Sequence, residues 1–113
     1  MIGADVVDIR RLTDTLRRCP EMEARLFTAA ESAYCRRKSD PLSSFAGTLA
    51  AKEAVMKAAG RRSLPAWARR IEVIRTETGR PRVSVAGLPE VAFVVSISHD
   101  GGVALAVALQ APP

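Results

Sequence analysis

The chain has 113 residues, of which 48% are apolar, which bounds it to one small domain with a single core. Its 17 basic and 12 acidic residues leave a net charge of +5, which favours an acidic or phosphorylated partner over a basic one. No apolar run approaches the roughly 20 residues that cross a bilayer, and the opening Met1-Ile2-Gly3-Ala4-Asp5 lacks the basic start of a secretory signal.

Ile2 to Ile9 is rich in β-branched residues and reads as a short strand. Arg10 to Arg18 reads as a helix, with Leu12 and Leu16 one turn apart among arginines. Thr28-Ala29-Ala30-Glu31 has the form of a capping box and opens a helix to about Lys38. Ser39-Asp40-Pro41 breaks it. Ser43 or Ser44 then caps the longest helix, which runs to about Ala59 and stops at Gly60. Cys19 and Cys35 have no metal-like spacing and read as free thiols of a cytoplasmic protein. In the second half Ile71 to Glu77 is a strand, Thr78-Gly79-Arg80-Pro81 a turn, and Arg82 to Ala86 an alternating strand. Val91 to Ser98 and Val103 to Leu109 form a hairpin around His99-Asp100-Gly101-Gly102. This order predicts a single α+β domain over residues 1–113, an antiparallel sheet packed with two or three helices. A core this small offers no deep cleft, so a large ligand would need walls from a second copy.

Asp5 sits inside an apolar strand. A buried carboxylate without a partner costs several kcal/mol in order of magnitude, so Asp5 needs a cation, a backbone cap or an exposed strand end. Asp8, three residues on, points to the opposite face of an alternating strand. Glu53 lies mid-helix beside the apolar stripe of Phe45, Leu49 and Met56, level with Ala46, Ala50 and Lys57. The small alanines let another backbone or a ligand come close. Glu53 is then either half of an i, i+4 pair with Lys57, worth about 0.2–0.5 kcal/mol, or half of a magnesium site if the fold brings Asp5 beside it. Two carboxylates with phosphate oxygens and waters commonly hold that ion. His99, the single histidine, ends a strand beside a glycine-rich turn, a position suited to a ligand or to plain surface. No Ser/His/Asp spacing, P-loop or dinucleotide fingerprint occurs.

Several stretches, in order along the chain, together resemble the holo-acyl-carrier-protein synthase type of 4′-phosphopantetheinyl transferase. They are Ile2-Gly3-Ala4-Asp5-Val6-Val7-Asp8-Ile9-Arg10-Arg11-Leu12, Leu26-Phe27-Thr28-Ala29-Ala30-Glu31, the helix Phe45 to Gly60 with Lys52-Glu53-Ala54-Val55-Met56-Lys57, Ile71-Glu72-Val73, Gly79-Arg80-Pro81-Arg82-Val83 and Val95-Ser96-Ile97-Ser98-His99-Asp100. The early aspartate, the Lys-Glu-Ala-x-x-Lys helix and the Ser-x-Ser-His strand are jointly specific. The resemblance implies the 4′-phosphopantetheinyl transferase fold and a homotrimer with active sites between subunits. It implies transfer of the phosphopantetheine arm of coenzyme A to a serine of an acidic acyl carrier protein, in fatty-acid or polyketide biosynthesis. It carries Mg²⁺ ligation to Asp5 and Glu53 and catalysis to Glu53 and Lys57. It places Lys52, Lys57, Arg80, Pro81, Ser96 and His99 at coenzyme A, and Arg11, Arg18 and Arg25 against the carrier protein.

The chain departs from that pattern in four places. Thr48 stands where the family usually has arginine, Arg61-Arg62-Ser63 replace a Thr-Gly loop, and Glu21-Met22 replace a basic-aromatic pair. The stretch from Gly87 to Ala92 is too short for a helix between strands. The metal pair is untouched, while nucleotide and carrier recognition are affected; Arg61 or Arg62 is a candidate to restore the charge lost at Thr48. Two other functions fit parts of the pattern. One is a basic nucleic-acid-binding domain, for which one Trp, one Tyr and three Phe give few stacking surfaces. The other is a homologue that binds carrier protein without turnover.

Overall fold

The computed structural model describes residues 1–61 and 63–111. The N-terminal strand β1 (Ile2–Asp8) leads into helix α1 (Ile9–Arg18), and the Asp8 carboxylate caps that helix by accepting from the Arg11 amide. Two shorter helices follow, α2 (Met22–Leu26) and α3 (Ala29–Arg36). The capping box on α3 is complete: Thr28 accepts from the Glu31 amide, and Glu31 accepts from the Thr28 amide. The long helix α4 (Pro41–Ala58) starts earlier than Ser43 or Ser44 would allow. Asp40 is its cap, taking the Ser43 amide on Oδ1 and the Ser43 hydroxyl on Oδ2. Pro41 fits the first helical position, where a missing N–H is no loss. Gly60, at φ +74°, turns the chain after α4, and the Arg61 amide returns to the Met56 carbonyl. A short helix α5 (Leu64–Trp67) precedes the sheet region.

The strands divide into two antiparallel sheets. β1 pairs with β5 (Val103–Gln110), which pairs with β4 (Phe93–Asp100); β2 (Ile71–Arg75) and β3 (Pro81–Val85) form a separate hairpin. The β4–β5 loop shrinks to Gly101-Gly102, both at positive φ as a two-residue hairpin requires. His99 and Asp100 therefore belong to the ladder, opposite Ala104 and Val103. Residues 86–92 contain no helix, as their brevity predicts.

α4 crosses the inner face of the three-stranded sheet. Its Ala46, Ala50, Ala51, Ala54 and Ala58 are fully buried, as are Ala104, Ala106 and Ala108 of β5. Small residues on both sides bring helix and sheet close. Gly3 shows how close: a Cβ there would sit 2.1 Å from the Ala54 carbonyl oxygen. That approach of β1 to α4 sets the distance between Asp5 and the helix residues facing it. The outer face of the same sheet carries Ile2, Val6, Val94, Leu105, Val107 and Leu109, all exposed.

Candidate active site

Asp5, Glu53 and Lys57 come together where β1 passes α4. Lys57 Nζ donates to Asp5 Oδ1 at 2.7 Å and to the Ala4 carbonyl at 3.2 Å. The Glu53 carboxyl is half-buried beside Asp5. Burial first, then the hydrogen bond and charge of Asp5, push its pKa up to about 8, against the opposing pull of Lys57. The hydrogen bond to Asp5 holds the Lys57 ammonium above its ordinary value. Glu53 is thus no simple surface pair with Lys57. Two carboxyls are pressed together and one ammonium is shared with them, an arrangement that a further cation would relieve. Among the described residues no group of three or more His, Cys, Asp or Glu side chains assembles. The candidate metal donors are these two carboxylates.

The neighbouring Lys52 does not reach this site. Its side chain is fully buried on another face of α4, 2.6 Å from Glu31 Oε1 and 2.7 Å from the Leu26 carbonyl. Glu31 Oε2 also accepts the Val73 amide of β2. Burial lowers the Lys52 pKa, against the attraction of Glu31. The expectation that Lys52 meets coenzyme A phosphates is corrected: its ammonium is enclosed and committed to Glu31, tying α3, α4 and β2 together.

The other expected residues lie apart within one copy. Arg80 and Pro81 stand at the β2–β3 turn, and Ser96 lies opposite exposed Val107 on the outer sheet face. His99 is exposed at the far end of β4. Arg11 and Arg18 share a shallow pocket on α1 with Asp8, Arg10, Asp14 and Thr15. Arg25 borders a different groove, between α2 and α5, with Met22, Leu26, Pro65 and Ala66. Thr48 is fully buried, donating to the Ser44 carbonyl and touching Cys35. Arg61 does not stand in for a charge there, since its guanidinium stacks 5.0 Å from the centre of the Trp67 ring. Arg62 lies outside the described residues. Sequence reasoning gave no role to Arg37, Lys38 or Arg75, which gather around Tyr34. The Arg36-Arg37-Lys38 run was visible; Arg75 joins it only through the fold.

The family whose sequence model is described as the 4′-phosphopantetheinyl transferase superfamily matches residues 1–108. The chain is 44% identical to the holo-[acyl-carrier-protein] synthase of Chlorobaculum tepidum, over 98% of this chain and 97% of that one. Its fold is similar to the crystal structure of the Helicobacter pylori holo-[acyl-carrier-protein] synthase in complex with coenzyme A. The TM-score is 0.84 at 27% identity, covering 98% of this chain and all (100%) of that one. It is also similar to a holo-(acyl-carrier-protein) synthase from Bacillus anthracis in complex with CoA (3′,5′-ADP). There the TM-score is 0.82 at 28% identity, over 96% of this chain and 93% of that one.

Proposed function

The chain belongs to the 4′-phosphopantetheinyl transferase superfamily, and on that premise we propose that it is a holo-[acyl-carrier-protein] synthase, moving the 4′-phosphopantetheine group of coenzyme A to a serine of an apo acyl carrier protein. The observation that carries the chemistry is the meeting of Asp5, Glu53 and Lys57 between β1 and α4. The serine oxygen attacks the phosphorus that bears the pantetheine arm. A new O–P bond forms, the bond from that phosphorus to the bridging pyrophosphate oxygen breaks, and 3′,5′-ADP leaves with the electron pair. Glu53, once a cation holds it ionised, would help remove the serine proton through a bound water. Lys57, half-exposed and one turn from Glu53, stabilises charge on the phosphoryl group in transit.

Asp5 and Glu53 fit a magnesium ion. They are hard oxygen donors, two in number, with coordination positions left for waters and phosphate oxygens. When bound there, Mg²⁺ neutralises charge on the pyrophosphate oxygens. Release of 3′,5′-ADP, followed chromatographically with carrier protein and coenzyme A, should occur with magnesium and cease with a chelator. Equal release in both conditions would contradict the metal assignment.

The proposed assembly is a homotrimer. A chain of this size offers little enclosure for coenzyme A, and the outer sheet face presents exposed Val94, Leu105, Val107 and Leu109 to a second copy. Ser96 shares that face, so apposed copies would bring it to a site between them. Light scattering at assay concentration should give three copies; a fully active monomer would contradict it. The proposed partner is an acidic carrier protein of fatty-acid or polyketide synthesis in the cytoplasm, met by Arg11, Arg18 and Arg25. Among the described residues no helix is long and apolar enough to cross a membrane.

A further inference from the structure

Helix α4 and strand β5 bury small residues against each other, among them Ala50, Ala54 and Ala58 on the helix and Ala104, Ala106 and Ala108 on the strand. An alanine surface has no large side chain to key into the facing layer, so a small rotation of α4 about its axis costs little packing there. Phe45 keys the first half of the helix against Phe27, with ring centres 4.9 Å apart, but it lies more than two turns before Glu53. In the second half the buried Val55 and Met56 make apolar contacts, which are non-directional. The directional contact there is Lys52. Its Nζ donates to the Leu26 carbonyl at 2.7 Å and to Glu31 Oε1 at 2.6 Å, both from outside α4. Glu31 is fixed in turn, taking the Thr28 amide on Oε1 and the Val73 amide on Oε2, each at 2.8 Å. Among the described residues no buried side-chain nitrogen or oxygen lacks a partner. The network is therefore complete, the condition under which buried polar contacts specify one geometry.

We propose that Lys52 is a positioning residue for the transfer reaction: through Glu31 and the Leu26 carbonyl it locks the rotation of α4, and so holds Glu53, the next residue in the chain, in register with Asp5. The inference rests on the reading of Asp5 and Glu53 as the magnesium pair. The lever is short. A side chain about 5–6 Å from the helix axis moves about 1 Å when the helix turns by about 10°, and a misplacement of that size can cost about a hundredfold in rate. Lys52 touches neither substrate nor metal in this role. It acts from the core on the one helix that carries both Glu53 and Lys57.

The test compares the wild type with K52M/E31Q, which removes both charges together and leaves none buried alone. E31D is the second variant: it keeps both charges and only withdraws the carboxylate by one carbon, so it serves should the double variant fold poorly. V85A, at a buried β3 residue outside the network, is the control for general loosening of the core. Two quantities are read well below each protein's unfolding temperature: magnesium affinity, by calorimetry on protein saturated with coenzyme A and without carrier protein, and kcat with both Michaelis constants. In K52M/E31Q magnesium affinity and kcat should each fall about tenfold or more, the scale of losing a residue that orients metal ligands. The Michaelis constant for carrier protein should stay within about threefold of the wild-type value. E31D should show a smaller loss of the same two quantities, and V85A neither. Wild-type magnesium affinity and kcat in folded K52M/E31Q or E31D would overturn the proposal, leaving Lys52 a contributor to stability alone. Equal losses in V85A would overturn it as well. Failure of the underlying functional reading is recognisable separately, because the wild type itself would then neither bind magnesium nor transfer.

Discussion

The Lys57 ammonium lies 2.7 Å from Asp5 Oδ1, although 52 residues separate the two in the chain. That contact brings a strand carboxylate to a helix carboxylate, Glu53, and leaves the two to share one positive charge. The catalytic account depends on this juxtaposition.

The first consequence is for activity. Asp5→Ala or Glu53→Gln should lower transfer at least about a hundredfold, the scale seen when one preorganised charge-stabilising group is removed, while the circular dichroism spectrum stays that of the native fold. Turnover near the wild-type rate by either variant, at ordinary magnesium, would refute the metal pair.

Stability should depend on pH through Glu53. Its pKa is raised in the folded protein from 4.5 to about 8, so the folded state binds a proton more tightly than the unfolded chain. The stability this contributes is complete below about pH 4.5 and is lost as pH rises through about 8. Without magnesium, thermal unfolding of the wild type should lose stability across that window, and Glu53→Gln should lose distinctly less. Identical pH profiles for the two proteins would contradict the carboxylate pairing.

Lys52 should behave as a core residue. Lys52→Met leaves Glu31 charged, buried and short of its partner, and should cost about 3–5 kcal/mol in denaturant unfolding. Adding Glu31→Gln should recover part of that loss, because the uncompensated charge is gone. A Lys52→Met protein as stable as the wild type, but weak for coenzyme A, would restore the ligand role denied to Lys52 here.

Much of this could be read from the chain. Thr28 and Glu31 announced the cap of α3 and Gly60 the end of α4, because each motif acts within a few residues, whereas the hairpin turn was read two residues too long at His99-Asp100. The misreadings needed the third dimension. Lys52 and Glu53 are adjacent in sequence, yet a helix rotates about 100° per residue, sending one into the core and leaving the other half-buried beside Asp5. Helices α2 and α5 have five and four residues, too few for a periodic pattern. Asp40 was read as part of a break because its capping role depends on Pro41 opening the helix. The division into two sheets depends on pairing between strands, which each strand's own pattern does not specify.

The basic face of α1 gives a prediction about the partner. Arg10, Arg11, Arg17 and Arg18 are exposed while Leu12 is buried, leaving the charges outward for an acidic surface. Arg11→Glu with Arg18→Glu should raise the Michaelis constant for carrier protein by about tenfold or more, since such charges govern association, and leave coenzyme A binding unchanged. Added salt should weaken the wild-type reaction in the same direction. Unchanged affinity for carrier protein, or equal loss of coenzyme A binding, would remove α1 from the docking surface.

The central claim is transfer to carrier protein through the Asp5–Glu53 pair, and the intact mass of the carrier protein tests it most directly. Apo carrier protein is incubated with coenzyme A and this chain, with magnesium or with a chelator, and then weighed by mass spectrometry. The account requires a gain of one phosphopantetheine group, confined to the carrier serine, with magnesium and the wild-type chain; the chelator or Glu53→Gln should abolish it. A carrier protein that binds the chain but never gains mass would contradict the account, as would mass gained equally in the presence of the chelator.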